Sequence, residues 1–176
     1  MNARPKSGDY APYAEQYISL VKGVDILDVL ETQLKQTTTL FAGRGERDGD
    51  FRYAPGKWTV KETAGHVADT ERIFAYRALR IARGDQTPLA GFEQDDYVGE
   101  ARFHQRKLAD LVEEFTNVRL ASLSLFCSLD QDAWLRRGIA NNSPVTVLAL
   151  AYIIAGHELH HRKILEERYF PAIPRA

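Results

Sequence analysis

The chain has 176 residues, of which 44% are hydrophobic, enough for one domain with a full apolar core. Its 23 basic and 24 acidic residues nearly cancel, and no long run of one sign marks a surface for nucleic acid. The amino-terminal segment lacks the apolar stretch of a secretory signal, and no segment approaches the roughly 18 uninterrupted apolar residues of a membrane span. We therefore expect a single domain over residues 1–176, located in the cytoplasm, with no membrane or nucleic-acid partner.

Helical periodicity dominates the first half of the chain. It predicts a short helical segment at 13–21 and a first long helix at 25–41, whose leucines share one stripe. Thr59 and Glu62 stand three residues apart, the spacing at which their side chains cap each other's free backbone N–H groups. The second long helix is therefore predicted to begin after Thr59 and to continue to about Arg83.

The second half predicts two more helices. A connection of about twenty residues, 84–103, is long for a loop and is expected to cover a site or pack on an edge. The third helix is predicted at 103–129 and the fourth at 142–169, with Pro144 in its first turn, where proline loses no needed hydrogen bond. No run of alternating β-branched residues competes with the helices, so the fold class is all-α, a four-helix bundle with an extra amino-terminal helical segment.

Histidines cluster near the carboxyl end of the chain. His157 and His161 are four residues apart on the predicted fourth helix, so they share one face. They interrupt the apolar stripe of that helix, which is expected to face the bundle interior. His66 lies near the apolar stripe of the second helix and offers a third imidazole. Three neutral imidazoles on two helices are typical of a site for zinc or nickel that keeps a position open for water or substrate. His160 and His104 are expected at a helix boundary or on the surface.

Other interpretations of these residues stay open at this point. Each histidine could instead be a core residue that hydrogen-bonds a neighbouring helix, and Asp69 could orient a ligand or be a solvated side chain. His157 to His161 also match the H-E-x-x-H pattern of zinc metalloproteases, but that pattern is weak and its known extension fails at Ile164. Cys127 is interpreted as a small buried hydrophobe. Residues that either line the site or serve ordinary packing are Tyr76, Arg77, Arg80, Asp95 and Tyr97.

Four segments together resemble a known family. They are 53–62 (YAPGKWTVKE), 65–72 (GHVADTER), 77–85 (RALRIARGD) and 155–162 (AGHELHHR). These segments are similar to the DinB-like (DinB/YfiT) superfamily of metal-dependent enzymes, especially its smaller YfiT-like members. The likeness covers nearly the whole chain and combines both histidine sites with the loop before the second helix. Lys163 and Ile164 stand where many members carry Gly-Gln.

The resemblance implies both a fold and a function. It implies an up-down-down-up four-helix bundle, a homodimer, and zinc or nickel on His66, His157 and His161. Members with assigned activity are mostly S-transferases that use bacillithiol, glutathione or mycothiol, and one is a mycothiol-dependent isomerase. We therefore expect a thiol-dependent S-transferase, in which the metal activates a low-molecular-weight thiol toward a small-molecule substrate. The alternatives are a metal-dependent hydrolase that uses metal-bound hydroxide and a non-catalytic metal-binding module.

Overall fold

The computed structural model describes residues 3–22 and 25–173, and within them it confirms the all-α four-helix bundle. The four long helices pack around a shared core, and a small antiparallel hairpin is added at one side. None of the helices in these ranges has the length and apolar character needed to cross a membrane. In chain order the elements are α1 (Glu15–Ile18), α2 (Ile26–Phe41), α3 (Glu46–Gly49), α4 (Val60–Ala82), α5 (Gln94–Ala101), α6 (Leu108–Cys127), α7 (Gln131–Leu135), β1 (Arg137–Ala140), β2 (Ser143–Thr146) and α8 (Val147–Ile164).

The start of α4 follows the predicted capping box. The Thr59 hydroxyl accepts a hydrogen bond from the Glu62 backbone N–H at 3.1 Å, and the Glu62 carboxylate accepts one from the Thr59 N–H at 2.6 Å. Two backbone donors that the helix itself cannot satisfy are thereby paired. This cap fixes the first turn of α4, and His66 follows in the second turn.

The prediction that the chain has no strand is wrong at 137–146. There β1 pairs with β2 in an antiparallel hairpin, and the turn residues Asn141 and Asn142 both have positive φ angles, 48° and 58°. Two left-handed residues make the turn type that matches strand twist, and asparagine tolerates that conformation. Pro144 therefore lies in β2, and α8 begins later than predicted, with Thr146 as its cap.

Other features of the chain also differ from the prediction. The connection at 84–103 contains the helix α5, and α6 begins at Leu108, after a 3₁₀ turn. Cys127 is exposed, because it lies at the last residue of α6 and off its buried stripe, so the prediction of a buried thiol is wrong. After Ile164 the last helix continues as a π-helical turn, Leu165–Tyr169.

A buried ionic cluster joins all four long helices. Arg119 of α6 is fully buried and donates to both oxygens of Glu71 in α4, at 2.8 and 2.9 Å, and to Glu158 in α8 at 2.6 Å. It also donates to the Leu30 carbonyl of α2, while Thr37 of the same helix donates to Glu158. Buried charges are tolerated only when they are paired and hydrogen-bonded in this way.

Candidate metal centre

Two helices bring the three predicted histidines together. His66 comes from α4, and His157 and His161 come from successive turns of α8, which packs on α4. The Nε2 atom of His157 lies 3.1 Å from the Nε2 atom of His66 and 3.1 Å from that of His161. One ligand atom from each of the three residues lies within 4.8 Å of the other two.

These separations suit a single divalent ion. Three nitrogens placed 2.0–2.1 Å from a tetrahedral zinc would be separated by about 3.3 Å, close to the observed 3.1 Å. Two imidazoles paired only by a hydrogen bond would explain one such contact, but the His157 nitrogen makes both. Within the described residues, no fourth His, Cys, Asp or Glu joins the group. The donor set therefore fits a metal with coordination positions left for other ligands.

The electrostatic environment keeps the three imidazoles neutral. Burial lowers the pKa of His66 to about 4. Burial, followed by the neighbouring imidazoles His161 and His66, holds the pKa of His157 well below its usual value, and burial and His66 do the same to the pKa of His161. Metal ions bind imidazole only when it is deprotonated, so a cation at this site competes with almost no proton at neutral pH.

Aromatic rings enclose the histidines. Trp58, in the loop before α4, lies with its ring centroid 4.6 Å from that of His66 and stacks on His161 at 6.2 Å. Tyr17 of α1 makes an edge contact with His157 at 5.4 Å. Gly156 makes the approach of α1 possible, since a Cβ atom there would lie 2.1 Å from the Tyr17 carbonyl oxygen. The rings restrict the orientation of the imidazoles and limit the access of water.

Two acidic residues that sequence reasoning connected with the site are directed elsewhere. Glu158, the glutamate of the metalloprotease-like pattern, is held by Arg119 in the bundle core. Asp69 pairs with Arg72 at 3.1 Å. The Thr70 hydroxyl instead lies 3.4 Å from the Nδ1 atom of His66, at the long end of hydrogen-bond distance. Its position four residues after His66 is the signal by which it could have been found.

A cleft of about 360 Å³ opens beside His66 and His157. Its far wall is the segment around Gly91, which is held to the hairpin because the Leu89 N–H donates to the Ile139 carbonyl and the Asn141 N–H donates to the Leu89 carbonyl, both at 2.9 Å. The long connection therefore lines the cleft and also pairs with the hairpin. The other residues that line the cleft are Tyr13, Tyr17, Thr70, Phe74, Arg77, Phe92, Glu93, Gln94, Asp95 and Asn141.

The remaining predicted site residues lie around the cleft and a neighbouring depression. Arg77 and Asp95 line the cleft. Arg77 also lines the depression, together with Tyr76, Arg80 and Tyr97. Arg80 pairs with Asp85 and does not line the cleft. Of the other two histidines, His160 is partly buried, with its ring 5.6 Å from that of Tyr17, and His104 is exposed in its 3₁₀ turn.

The four-helix bundle brings three imidazoles together beside an open cleft, so the chain is a helical protein with a candidate histidine metal centre. The chain belongs to the DinB superfamily, because the model of that family matches residues 30–165, more than half of the sequence. The match includes all three histidines, so the family resemblance seen in the sequence is confirmed.

Solved structures share the fold at low sequence identity. YfiT from Bacillus subtilis, described as a probable metal-dependent hydrolase with an unusual four-helix bundle topology, is 15% identical with a TM-score of 0.69, and the match covers 94% of this chain and 91% of YfiT. A mycothiol-dependent maleylpyruvate isomerase is 12% identical, also with a TM-score of 0.69, over 89% of this chain and 66% of the isomerase. No curated protein matches the chain in a sequence search.

Proposed function

We propose that the protein is a metal-dependent enzyme in which His66, His157 and His161 hold zinc or nickel, and that it transfers a low-molecular-weight thiol to an electrophilic small molecule. The observation that carries the proposal is the convergence of three neutral imidazoles, with ligand atoms within 4.8 Å of one another, at the side of an open cleft. A divalent ion held there would supply Lewis acidity, which lowers the pKa of a bound thiol or water enough to make a nucleophile at neutral pH.

The surroundings of the histidines favour a thiol over water as the nucleophile. Glu158 is committed to Arg119, and the carboxylates that line the cleft, Glu93 and Asp95, belong to exposed residues. A hydrolase benefits from a positioned general base near the metal, as the glutamate of H-E-x-x-H proteases illustrates. A thiol depends less on such a base, because a metal deprotonates a coordinated thiol outright, whereas bound water reaches a pKa of only about 7. The chain's own contribution is then to hold the imidazoles, orient His66 through Thr70 and exclude water with Trp58 and Tyr17.

Two other functions remain as alternatives. A metal-dependent hydrolase would use the same three ligands, and the description of YfiT as a probable hydrolase supports this candidate. A non-catalytic metal-binding module would be expected to close the site with a fourth protein ligand, as structural zinc sites do. The group of three within the described residues disfavours such closure.

Metal content tests the ligand set. Protein purified without chelators or an affinity tag should carry roughly one zinc or nickel per chain by elemental analysis, or bind one on addition of the ion. His66→Ala, His157→Ala and His161→Ala should each lose it. His160→Ala is the matched control, because His160 lies beside His161 in sequence but outside the group of three. Retention of metal in any of the three alanine variants would contradict the ligand assignment.

Turnover distinguishes the transferase from the hydrolase. The metal-loaded protein is incubated with glutathione and 1-chloro-2,4-dinitrobenzene in one assay, and with a nitrophenyl ester in another. Thiol transfer that requires the metal and disappears in His157→Ala supports the transferase. Ester hydrolysis with the same dependence, without thiol transfer, would favour the hydrolase. Metal binding with neither reaction would leave the non-catalytic module.

The assembly state is also a proposal. We propose a homodimer, which the family resemblance implies, and a groove between α4 and α6 supports it, because Leu79, exposed at 39%, lines the groove together with Leu125 of α6. Light scattering should give twice the chain mass of 19.9 kDa. Leu79→Glu should shift the protein toward monomer if this groove is the contact surface.

A further inference from the structure

The described residues include three cations whose residues are almost completely buried, and one of them has no carboxylate partner. Lys61 pairs with Glu46 and Asp50, both at 2.8 Å, and Arg119 pairs with two glutamates. Arg77 is only 4% exposed, yet it forms no ion pair with any residue that the structure describes. A buried charge without a counterion is costly, so its presence calls for an explanation.

Arg77 is held firmly in place. Its Nη2 atom donates a hydrogen bond of 2.6 Å to the Ala90 carbonyl, in the segment that continues into Gly91 and Phe92 of the cleft. The guanidinium lies 5.3 Å from the ring centroid of Phe74 and 5.9 Å from that of Phe92. These contacts use one N–H group and the flat faces of the guanidinium. The other N–H groups of Arg77 have no protein partner among the described residues. The side chain lines the cleft, so those donors are available to a ligand.

Helix geometry places Arg77 on the same face of α4 as the metal centre. The eleven residues from His66 to Arg77 make about three full turns and rise roughly 16 Å. Because helical side chains lean toward the amino terminus, the His66 imidazole and the Arg77 guanidinium shift in the same direction, and their separation stays close to this rise. Thr70 and Phe74 lie between them, and both line the same cleft. One extended small molecule can therefore reach the metal at one end and Arg77 at the other.

We propose that Arg77 binds a carboxylate of the ligand whose other end reaches the metal centre, so that the protein selects carboxylate-bearing small molecules. This inference rests on the proposed function and adds a substrate class to it. The planar guanidinium fork matches a carboxylate in shape and charge. Glu93 and Asp95 also line the cleft, but both residues are exposed and neither pairs with Arg77, so solvent screens their repulsion of the ligand.

A series of paired thiols tests the proposal. Protein loaded with cobalt(II) reports thiolate binding through its absorption spectrum. Mercaptoalkanoates of graded chain length are compared with mercaptoalkanols of the same length, for example 6-mercaptohexanoate with 6-mercaptohexanol. At the length that spans the gap, the carboxylate should strengthen binding by about ten- to a hundred-fold, as expected for a charge-assisted hydrogen-bonded pair. Equal affinity of acid and alcohol at every length would overturn the proposal without any variant.

Variants assign the effect to Arg77. Arg77→Gln should abolish the preference for the acid while leaving the affinity for the alcohol unchanged, and Arg77→Lys should keep part of it, because lysine retains the charge but not the fork. Arg80→Gln is the matched control, since Arg80 lies on the same helix but pairs with Asp85 outside the cleft. A preference that survives Arg77→Gln in a folded variant, judged by its circular dichroism, would overturn the assignment.

Failure of the thiol mechanism gives a different result. If no thiol changes the cobalt spectrum, the proposed transferase is wrong, and hexanoate and hexanol are then compared by calorimetry on the metal-loaded protein. Binding of hexanoate that is lost in Arg77→Gln would support the carboxylate site. Absence of hexanoate binding would overturn it.

Discussion

Replacing Arg119 with methionine removes the cation at the centre of the four-helix core. The guanidinium makes three charge-assisted hydrogen bonds of 2.6 to 2.9 Å to Glu71 and Glu158 and a fourth bond of 3.1 Å to the Leu30 carbonyl. Methionine fills a similar volume but leaves two buried carboxylates without their partner. Breaking a buried ion pair from one side costs about 3–5 kcal/mol, a large part of a typical 5–15 kcal/mol stability.

Urea denaturation followed by far-UV circular dichroism measures this loss. Arg72→Met is the matched control, because Arg72 also bridges two carboxylates, of Asp69 and Glu114, but its side chain is 46% exposed. Surface pairs of this kind contribute about 0–1 kcal/mol. If Arg119→Met were no less stable than Arg72→Met, the cluster would not be a stabilising link between the helices, and the reasoning from burial would be wrong.

Three further predictions concern the candidate metal centre. Gly156→Ala should destabilise the protein by about 1–3 kcal/mol in the same urea assay, because its Cβ atom would meet the Tyr17 carbonyl; a more stable variant would show that helix propensity outweighs the clash. The free energy of unfolding of metal-free protein should fall by about 2 kcal/mol between pH 7 and pH 5 through His66, because the unfolded chain binds a proton near pH 6.5 whereas the folded chain resists protonation until about pH 4. His66→Gln should reduce this dependence of stability on pH, and an unchanged dependence would contradict the lowered pKa of His66. Cobalt(II) should quench the fluorescence of Trp58, whose ring centroid lies 4.6 Å from that of His66. Trp58→Phe should remove the quenching, while the fluorescence of Trp134 remains. Quenching that persists in Trp58→Phe would place the ion elsewhere.

The long helices and the three histidines could be predicted from the sequence because their signals are local. Apolar residues repeat at helical spacing, the cap of α4 is written as Thr59 and Glu62, and His157 and His161 are separated by one helical turn. The hairpin was missed for a different reason. Its strands have four residues each, one contains Pro144, and the Asn141–Asn142 turn is its main local signal. Strands so short depend on tertiary packing, which spacing does not encode.

The cleft lies beyond local prediction because its wall is made by distant contacts. Gly91 and Asn141 are fifty positions apart in the sequence, and they meet only because the segment at Leu89 hydrogen-bonds to β1. Arg77 could be named from sequence as a residue near the site, but its partners decide its role. An arginine on a helix face pairs with an acidic neighbour in most surface settings, and only the packed structure shows that this one has none among the described residues.

The pattern from His157 to His161 illustrates how one helix can serve two purposes. Successive helical residues are separated by about 100°, so His157 and Glu158 cannot face the same group, whereas His157 and His161 can. In α8 the two histidines face His66 of α4, and Glu158 faces Arg119 of α6 in the core. The ion pair therefore fixes the rotation of α8 about its axis, and that rotation directs the two imidazoles toward His66. A glutamate that looks catalytic in the sequence thus acts as a positioning residue, which is why an H-E-x-x-H match carries no evidence for a protease until the direction of its glutamate is known.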